Sequence, residues 1–239
     1  MPRFFREYID LEAPALTGDD ARHIGRSLRM KCGENLTVCC NGIDHNCIIT
    51  QITDDTVYLN LVESIPCSAE PNVEITLFQA APKSEKLEMI VQKSVELGVS
   101  RVVPFISRRC ISRPDEKDFR KKQLRLQKIS EEAAKQSGRG IIPEISEIMT
   151  FRQMIAEIKS LDICTVLYEG GGKPFRNVDF NGKKRIGVVI GSEGGFDSEE
   201  VESLISEGAE AVWLGKRILR CETAPLAAMS VIMFLTGNL

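Results

Sequence analysis

From residue 73 onward, short apolar runs alternate with helix-period segments, and this alternation leaves few folds open. Val73–Ala80, Arg101–Ser107, Ile163–Tyr168, Arg185–Ile190 and Ala211–Leu214 read as strands that are apolar along nearly their whole length. Strands of that kind are buried on both faces, as in a parallel sheet covered by helices. Helices are expected between them at Ser84–Leu97, Asp118–Ser137, Thr150–Ser160 and Asp197–Glu207, with a last one at Thr223–Thr236. Gly98 and Gly138 stand where helix-ending glycines stand, and Asp197 with Glu200 has the capping-box spacing.

The first 65 or so residues have a different pattern. Arg3–Tyr8, Asn35–Cys40, His45–Ile52 and Thr56–Val62 are expected strands, separated by turns at Lys31-Cys32-Gly33, Asn41-Gly42 and Asp54-Asp55. One helix, Asp19–Met30, interrupts them, with acidic residues at its start and basic ones at its end, as the helix dipole favours. Ser64–Asn72 carries two prolines and no periodicity, and reads as a linker. The expected division is therefore a small β domain at 1–68 and an α/β domain at 73–239.

The net charge of −3 argues against a uniformly basic nucleic-acid binder. Its distribution argues the other way: residues 101–140 hold twelve Lys and Arg against five Asp and Glu. A solvated helix face would carry the same charges. The start, Met1-Pro2-Arg3-Phe4-Phe5-Arg6, lacks the apolar core of a secretory signal, so a reducing cytoplasm and free thiols are expected for the eight cysteines. Cys32, Cys39, Cys40, Cys47 and His45 cluster in sequence but contain no C-x₂-C pair, so no metal site is expected. The longest apolar stretch, Ala224 to Leu235, is too short to span a bilayer.

A parallel α/β sheet binds ligands at the C-terminal ends of its strands. Three glycine-containing segments fall there. Glu169-Gly170-Gly171-Gly172-Lys173 fails as a phosphate loop, because Leu167 and Pro174 stand where Gly and Ser or Thr are required. Gly191-Ser192-Glu193-Gly194-Gly195-Phe196 follows a strand but lacks the dinucleotide-binding spacing. The third, Leu214 to Ala224, joins the last strand to the last helix and carries Arg217, Arg220 and Glu222. One such loop reads as a tight turn. Two at adjacent strand ends, one of them arginine-rich, point to a site.

These two segments, Ile190–Phe196 and Leu214–Ala224, resemble the signatures I-G-P-E-G-G-[FL] and L-G-x-R-[IV]-L-R-x-E-T-A of the bacterial 16S rRNA (uracil-N3)-methyltransferase family, in the SPOUT class. Gln92–Val99, Glu132–Arg139 with Pro143-Glu144-Ile145, and His23–Met30 resemble three further motifs of that family, in the same order. The resemblance covers nearly the whole chain. Ser192 departs from the family's Pro and Cys221 from its Thr; the first loosens a turn, the second exchanges a hydroxyl for a thiol.

The resemblance implies a trefoil-knotted parallel-sheet domain of the SPOUT type, preceded by a small PUA-like β-barrel. It implies S-adenosylmethionine as cofactor, 16S rRNA in the assembled small subunit as partner, and a homodimer. The apolar face Leu226, Met229, Met233 and Phe234 could serve the dimer or the core. Cofactor contacts are implied for Leu167, Glu169, Ile190, Gly191, Ser192, Glu193, Gly194, Gly195, Leu214, Gly215, Ile218, Leu219 and Thr223. Glu193 could hold ribose hydroxyls or brace its loop. The implied reaction is displacement at the sulfonium methyl by N3 of a uridine. Arg220 is the first candidate to stabilise charge on the uracil oxygens and Arg217 the second. Glu222 could orient an arginine or accept the proton through water.

RNA contacts are expected at Arg3, at Arg22, Arg26 and Arg29 on one helix face, and at Lys93, Arg108, Arg109 and Arg139. Tyr8, Phe105 or Phe196 could hold the target base out of its stack. Two other readings compete. One is a SPOUT enzyme with a tRNA base or ribose hydroxyl as target, which product mapping would separate. The other is a non-catalytic RNA-binding assembly factor, which would bind RNA without transferring methyl.

Overall fold

The computed structural model describes residues 1–83 and 85–239, with the side chain of Glu116 also outside the description. The chain forms two compact units, Met1–Glu70 with Ala134–Ile142, and Pro71–Ala133 with Pro143–Leu239.

In the first unit, β1 (Arg3–Phe5), β2 (Ala15–Thr17), β3 (Asn35–Cys40), β4 (Ile43–Ile52) and β5 (Thr56–Pro66) form one sheet in the order β1-β3-β4-β5-β2. Asn41 and Gly42 both have positive φ, 50° and 80°, so the Asn-Gly pair makes the two-residue turn that matches strand twist between β3 and β4. Register shifts at Asn46/Cys47 and Ile49/Gln51 interrupt the β4–β5 ladder. Phe4, Leu16, Ile24, Leu36, Val38, Ile49 and Val57 form the core. The short strand β2 has no counterpart in the expected pattern.

The expected helix Asp19–Met30 is not continuous. A single α-turn, α1 (Asp19–Arg22), passes into a π-helical turn, His23–Ser27, and Arg29 lies beyond it at φ 54°. The wider turn breaks the spacing that would have aligned Arg22, Arg26 and Arg29, although all three remain exposed.

The second unit is an all-parallel sheet with helices between its strands. Its strands are β6 (Glu74–Ala80), β7 (Arg101–Ile106), β8 (Glu144–Ile145), β9 (Met149–Thr150), β10 (Ile163–Leu167), β11 (Lys173–Pro174), β12 (Arg185–Ile190) and β13 (Ala209–Trp213). The order is β11-β13-β10-β12-β6-β7-β8, with β9 also on β7. Pro104 sits inside β7, where a residue without N–H would spoil a continuous ladder. It falls in the gap between the ladders to β8 (Arg101, Val102) and β9 (Phe105, Ile106).

The helices are α2 (Lys86–Glu96), α3 (Glu116–Ser137), α4 (Phe151–Ile158), α5 (Ser198–Ser206) and α6 (Ala224–Leu235). The expected start of the first of these, at Ser84, lies outside the described residues. Asp197 and Glu200 form the anticipated capping box, and Thr150 with Gln153 forms another. Helix α6 is apolar on nearly every side. Met229 and Met233 are core, whereas Phe234 and Leu235 are exposed. Of the two roles the sequence left open, Met229 and Met233 take the core one, with Met233 beside Gly98. Among the described residues no helix is long and apolar enough to cross a membrane.

Candidate functional site

Three neighbouring strands, β13, β10 and β12, send their following loops to one edge of the sheet. There they surround a cleft of about 900 Å³. The end of β10 and its loop contribute Leu167, Tyr168, Glu169 and Gly170; the loop after β12 contributes Gly191 to Phe196; the end of β13 and its loop contribute Trp213 to Glu222. Lys86, at the start of α2, completes the wall. Every residue expected at the cofactor lines this cleft except Thr223, which precedes α6 and is exposed. Arg217, Arg220 and Glu222 line it too.

The turn at 192–195 is fixed by close backbone contacts. The Gly195 N–H donates to the Ser192 carbonyl across 2.9 Å. A Cβ on Gly191 would approach the Gly195 backbone to 3.1 Å, and one on Gly194 would reach the Arg109 Cβ at 3.0 Å. Gly195 has φ +65°, and a Cβ there would lie 2.8 Å from Glu169 Oε1, so the Glu169 carboxylate stands directly over the glycine turn. The Ser192 hydroxyl donates to the Arg109 carbonyl across 3.3 Å, which ties the turn to the loop after β7.

Lys86 is a member of the site that no sequence motif marks. Its ammonium lies 3.0 Å from Glu193 Oε1 and 3.1 Å from Glu222 Oε2. Glu193 also accepts from the Lys83 N–H, at 3.2 Å to Oε1. Glu193 therefore braces its loop against the start of α2. Hydrogen bonds to Glu193 and then Glu222 raise the Lys86 pKa. Burial works against ionisation of both acids, but hydrogen bonds outweigh it. For Glu193 these come from its own N–H and Lys86, and for Glu222 from the Cys221 thiol, its own N–H and Lys86; both end below the ordinary carboxylate range. The Cys221 thiol, 3.2 Å from Glu222 Oε2, is pushed up to about 12 by burial and by that hydrogen bond, so it stays protonated and can donate as the family's threonine would. Arg220 is 84% exposed, with its guanidinium 4.0 Å from Glu222 Oε1.

The expected RNA contacts fare differently. Arg139 is 2% exposed and bound to Glu70, so it is a structural ion pair and not a surface for phosphate. Arg3 is held by Asp44 and by Cys67 Sγ, with its side chain 14% exposed. Arg22 pairs with Asp19, and Lys93 with Glu96 at 2.8 Å. Arg108 reaches Glu199 at 2.5 Å, and Arg109 donates to the Gly194 carbonyl at 3.0 Å, bracing the glycine turn. Phe105 and Phe196 are buried and stacked on one another at 6.4 Å, so neither offers a face to a base; Tyr8 is exposed. Much of the positive charge of segment 101–140 lies on α3, where Lys117, Arg120, Lys121, Arg125 and Lys128 are exposed. All eight cysteines are free, and among the described residues no group of His, Cys, Asp and Glu is placed to hold a metal ion.

Residues 69–233 match the family model described as an RNA methyltransferase domain, and residues 16–62 match an RNA methyltransferase PUA domain. Together with the strand-end cleft, these matches define the class: α/β RNA methyltransferases with an N-terminal PUA domain. A Bacillus subtilis protein named ribosomal RNA small subunit methyltransferase E is 33% identical, over 99% of this chain and 97% of its own. The protein of that name from Mesomycoplasma hyopneumoniae is 30% identical, covering 95% and 96%. The crystal structure of a Neisseria gonorrhoeae ribosomal RNA small subunit methyltransferase E bound to S-adenosyl methionine superposes with a TM-score of 0.88 at 30% identity, covering 98% of each chain. The chain belongs to the ribosomal RNA small subunit methyltransferase E family.

Proposed function

We propose that this chain methylates N3 of a uridine in 16S rRNA, with S-adenosylmethionine as methyl donor. The observation that carries the reading is the meeting, around one cleft, of the Glu193–Gly195 turn and the Arg220–Glu222 segment. The residues present fit the cofactor. Glycines at 191, 194 and 195 keep the floor free of side chains, and the Glu169 carboxylate above Gly195 suits ribose hydroxyls. Leu167, Ile190, Leu214, Ile218 and Leu219 offer apolar contact. When bound, the cofactor supplies a methyl group on a positively charged sulfur, open to displacement by nitrogen.

The chain's own residues handle the uracil. N3 must lose a proton, and its negative charge spreads to O2 and O4. Arg220, exposed on the cleft wall and permanently cationic, stabilises that charge as it grows, with Arg217 beside it in sequence. Glu222 is the anion that orients Arg220.

Residues 1–68 serve as a PUA-like RNA-binding β-barrel and 73–239 as the transferase, apart from residues 134–142, which pack with the first unit. Arg22, Arg26, Arg29, Lys93, Arg108 and Arg109 remain the candidates for phosphate contacts. The second unit carries a trefoil knot of the SPOUT type at its C-terminal end; the place of β13 between β10 and β11, inside the sheet, supports this. Exposed Phe234, Leu235 and Ile218 support a homodimer. The substrate is the assembled small subunit in the cytoplasm.

The test is transfer of tritium from labelled cofactor to small subunits from a strain lacking this gene, followed by nucleoside identification. Label in 3-methyluridine is expected. Label in a tRNA base or a 2′-O-methyl nucleoside would change the target. Subunit binding without label would replace the enzyme with an RNA-binding factor.

A further inference from the structure

Three chain segments meet at one ammonium group. Lys86 Nζ, from α2, donates to Glu193 Oε1 at 3.0 Å, to Glu222 Oε2 at 3.1 Å and to Cys221 Sγ at 3.9 Å. An ammonium has three N–H donors, and all three have partners here. Lys86 therefore has no donor left for a substrate atom, although it lines the cleft. What it controls is Glu222. Glu222 Oε2 takes the bonds from Lys86 and the Cys221 thiol, which leaves Oε1 turned to Arg220 at 4.0 Å.

We propose that Lys86 is a positioning residue: it ties the loop of Glu193 to the loop of Glu222 and fixes the Glu222 carboxylate as the anchor of Arg220. This rests on the reading that Arg220 faces the uracil. It chooses between two roles for Glu222. A carboxylate already bonded to an ammonium and a thiol is a poor proton acceptor, and a good fixed anion for aiming a mobile guanidinium. The charged and titratable groups around Glu222 are Lys86 from α2, Glu193 across the shared ammonium, and Cys221 and Arg220 from its own loop. Without Lys86, two carboxylates share a site with no cation between them. Like charges in one site favour protonation of one of the pair. Arg220 then loses its anchor over part of the pH range.

The experiment compares K86M, K86R, the double variant K86M/E193Q and R220A with the parent. It reads turnover at saturating cofactor against pH, the affinity for S-adenosylhomocysteine by calorimetry, and the thermal midpoint. K86M is expected to keep a near-parental midpoint and bind S-adenosylhomocysteine within about threefold, yet to lose roughly tenfold or more in kcat. Its rate should fall on the acid side at a higher pH than the parent's. K86R should restore both rate and profile, and E193Q in the K86M background should move the acid limb back, because it removes the competing carboxylate. A K86M with parental kcat and profile overturns the proposal, as does one that loses only its thermal midpoint. If K86M does not fold, the double variant decides by its rate: kcat should stay roughly tenfold down, because the tie to Glu222 is still missing, and a parental kcat there overturns the proposal. An inactive R220A beside a parental K86M sinks Lys86 alone. A fully active R220A removes the reading of the site on which the proposal rests.

Discussion

Arg139 and Glu70 form a two-pronged ion pair, Nε to Oε1 at 2.9 Å and Nη2 to Oε2 at 2.8 Å. The same Glu70 Oε1 accepts from the backbone N–H groups of Gly140, at 2.8 Å, and Ile141, at 3.1 Å. One carboxylate thus organises the segment that joins residues 134–142 to the first unit. Arg139 is almost fully buried, so removing Glu70 takes a two-pronged charge partner from a guanidinium held away from water. E70A should cost about 3 kcal/mol of unfolding free energy in denaturant titration, in the range for a broken buried pair. A loss below about 1 kcal/mol would give the pair only the weight of an exposed one.

Arg220 makes the opposite case. Its side chain is exposed and packs against nothing that R220A would leave as a cavity. The variant should fold and bind S-adenosylhomocysteine like the parent while losing about two to three orders of magnitude in kcat, as removal of a charge-stabilising donor does. Parental turnover would remove Arg220 from catalysis. Arg217 would then be the residue to test.

The two residues show where sequence reading succeeds and where it stops. The parallel sheet is legible because β6, β7, β10, β12 and β13 are apolar on both faces, and only a doubly covered sheet buries both. The cleft is legible because its glycines and arginines follow strand ends in sequence. Arg139 misleads because an arginine in a motif looks the same whether its partner is a phosphate or a carboxylate 69 residues away. Lys86 is silent for a related reason: its meaning comes from Glu193 and Glu222, more than a hundred residues on, and one lysine at a helix start carries no local pattern. The π-helical turn at His23–Ser27 is invisible to any reading that carries a period of 3.6 through it.

Asp162 gives a pH-dependent test of the fold. Its carboxylate accepts from the N–H groups of Lys184 and Arg185, each at 2.9 Å, and from the Arg185 guanidinium at 3.1 Å. The backbone bonds, then the side-chain bond, lower its pKa from 3.8 to about 2. A depressed carboxylate stabilises the fold above its ordinary pKa and loses that contribution as pH falls towards the folded value. D162N should therefore be less stable than the parent at neutral pH. The gap should close between about pH 4 and pH 2, the window set by the two pKa values. A gap that persists at pH 2 would assign the effect to shape and not to charge.

Gly172 lies where β11 passes β13. It has φ +104°, and a Cβ would sit 2.2 Å from the Ala211 carbonyl oxygen. That neighbour is backbone in a paired strand, so it cannot swing aside as a side-chain tip would. G172A should lower the thermal midpoint by several degrees and weaken cofactor binding, since β13 leads directly into the cleft loop. G182A is the control. Gly182 also has positive φ, +69°, but open space around it, so it reports strain without collision. Equal losses in the two variants would reduce the Gly172 effect to backbone strain alone.

The contribution of the first unit to RNA binding turns on Arg26 and Arg29. Arg22 is occupied by Asp19, and Arg3 by Asp44. Arg26 and Arg29 are exposed near the π-helical turn, the latter in a left-handed conformation that ends the helix and directs the chain away. If they touch phosphates, each releases counterions on binding. The slope of log affinity against log salt should then fall by roughly 0.7 to 0.9 for each phosphate no longer neutralised. R26E/R29E should flatten that slope by about 1.4 to 1.8, with kcat at saturating subunits nearly unchanged, because neither residue belongs to the cleft. An Arg22 reversal alone should move the slope less, since its charge is already partly neutralised by Asp19. An unchanged slope in the double variant would leave phosphate binding to the second unit, where the exposed cations of α3 and the loop of Arg108 would be next to reverse.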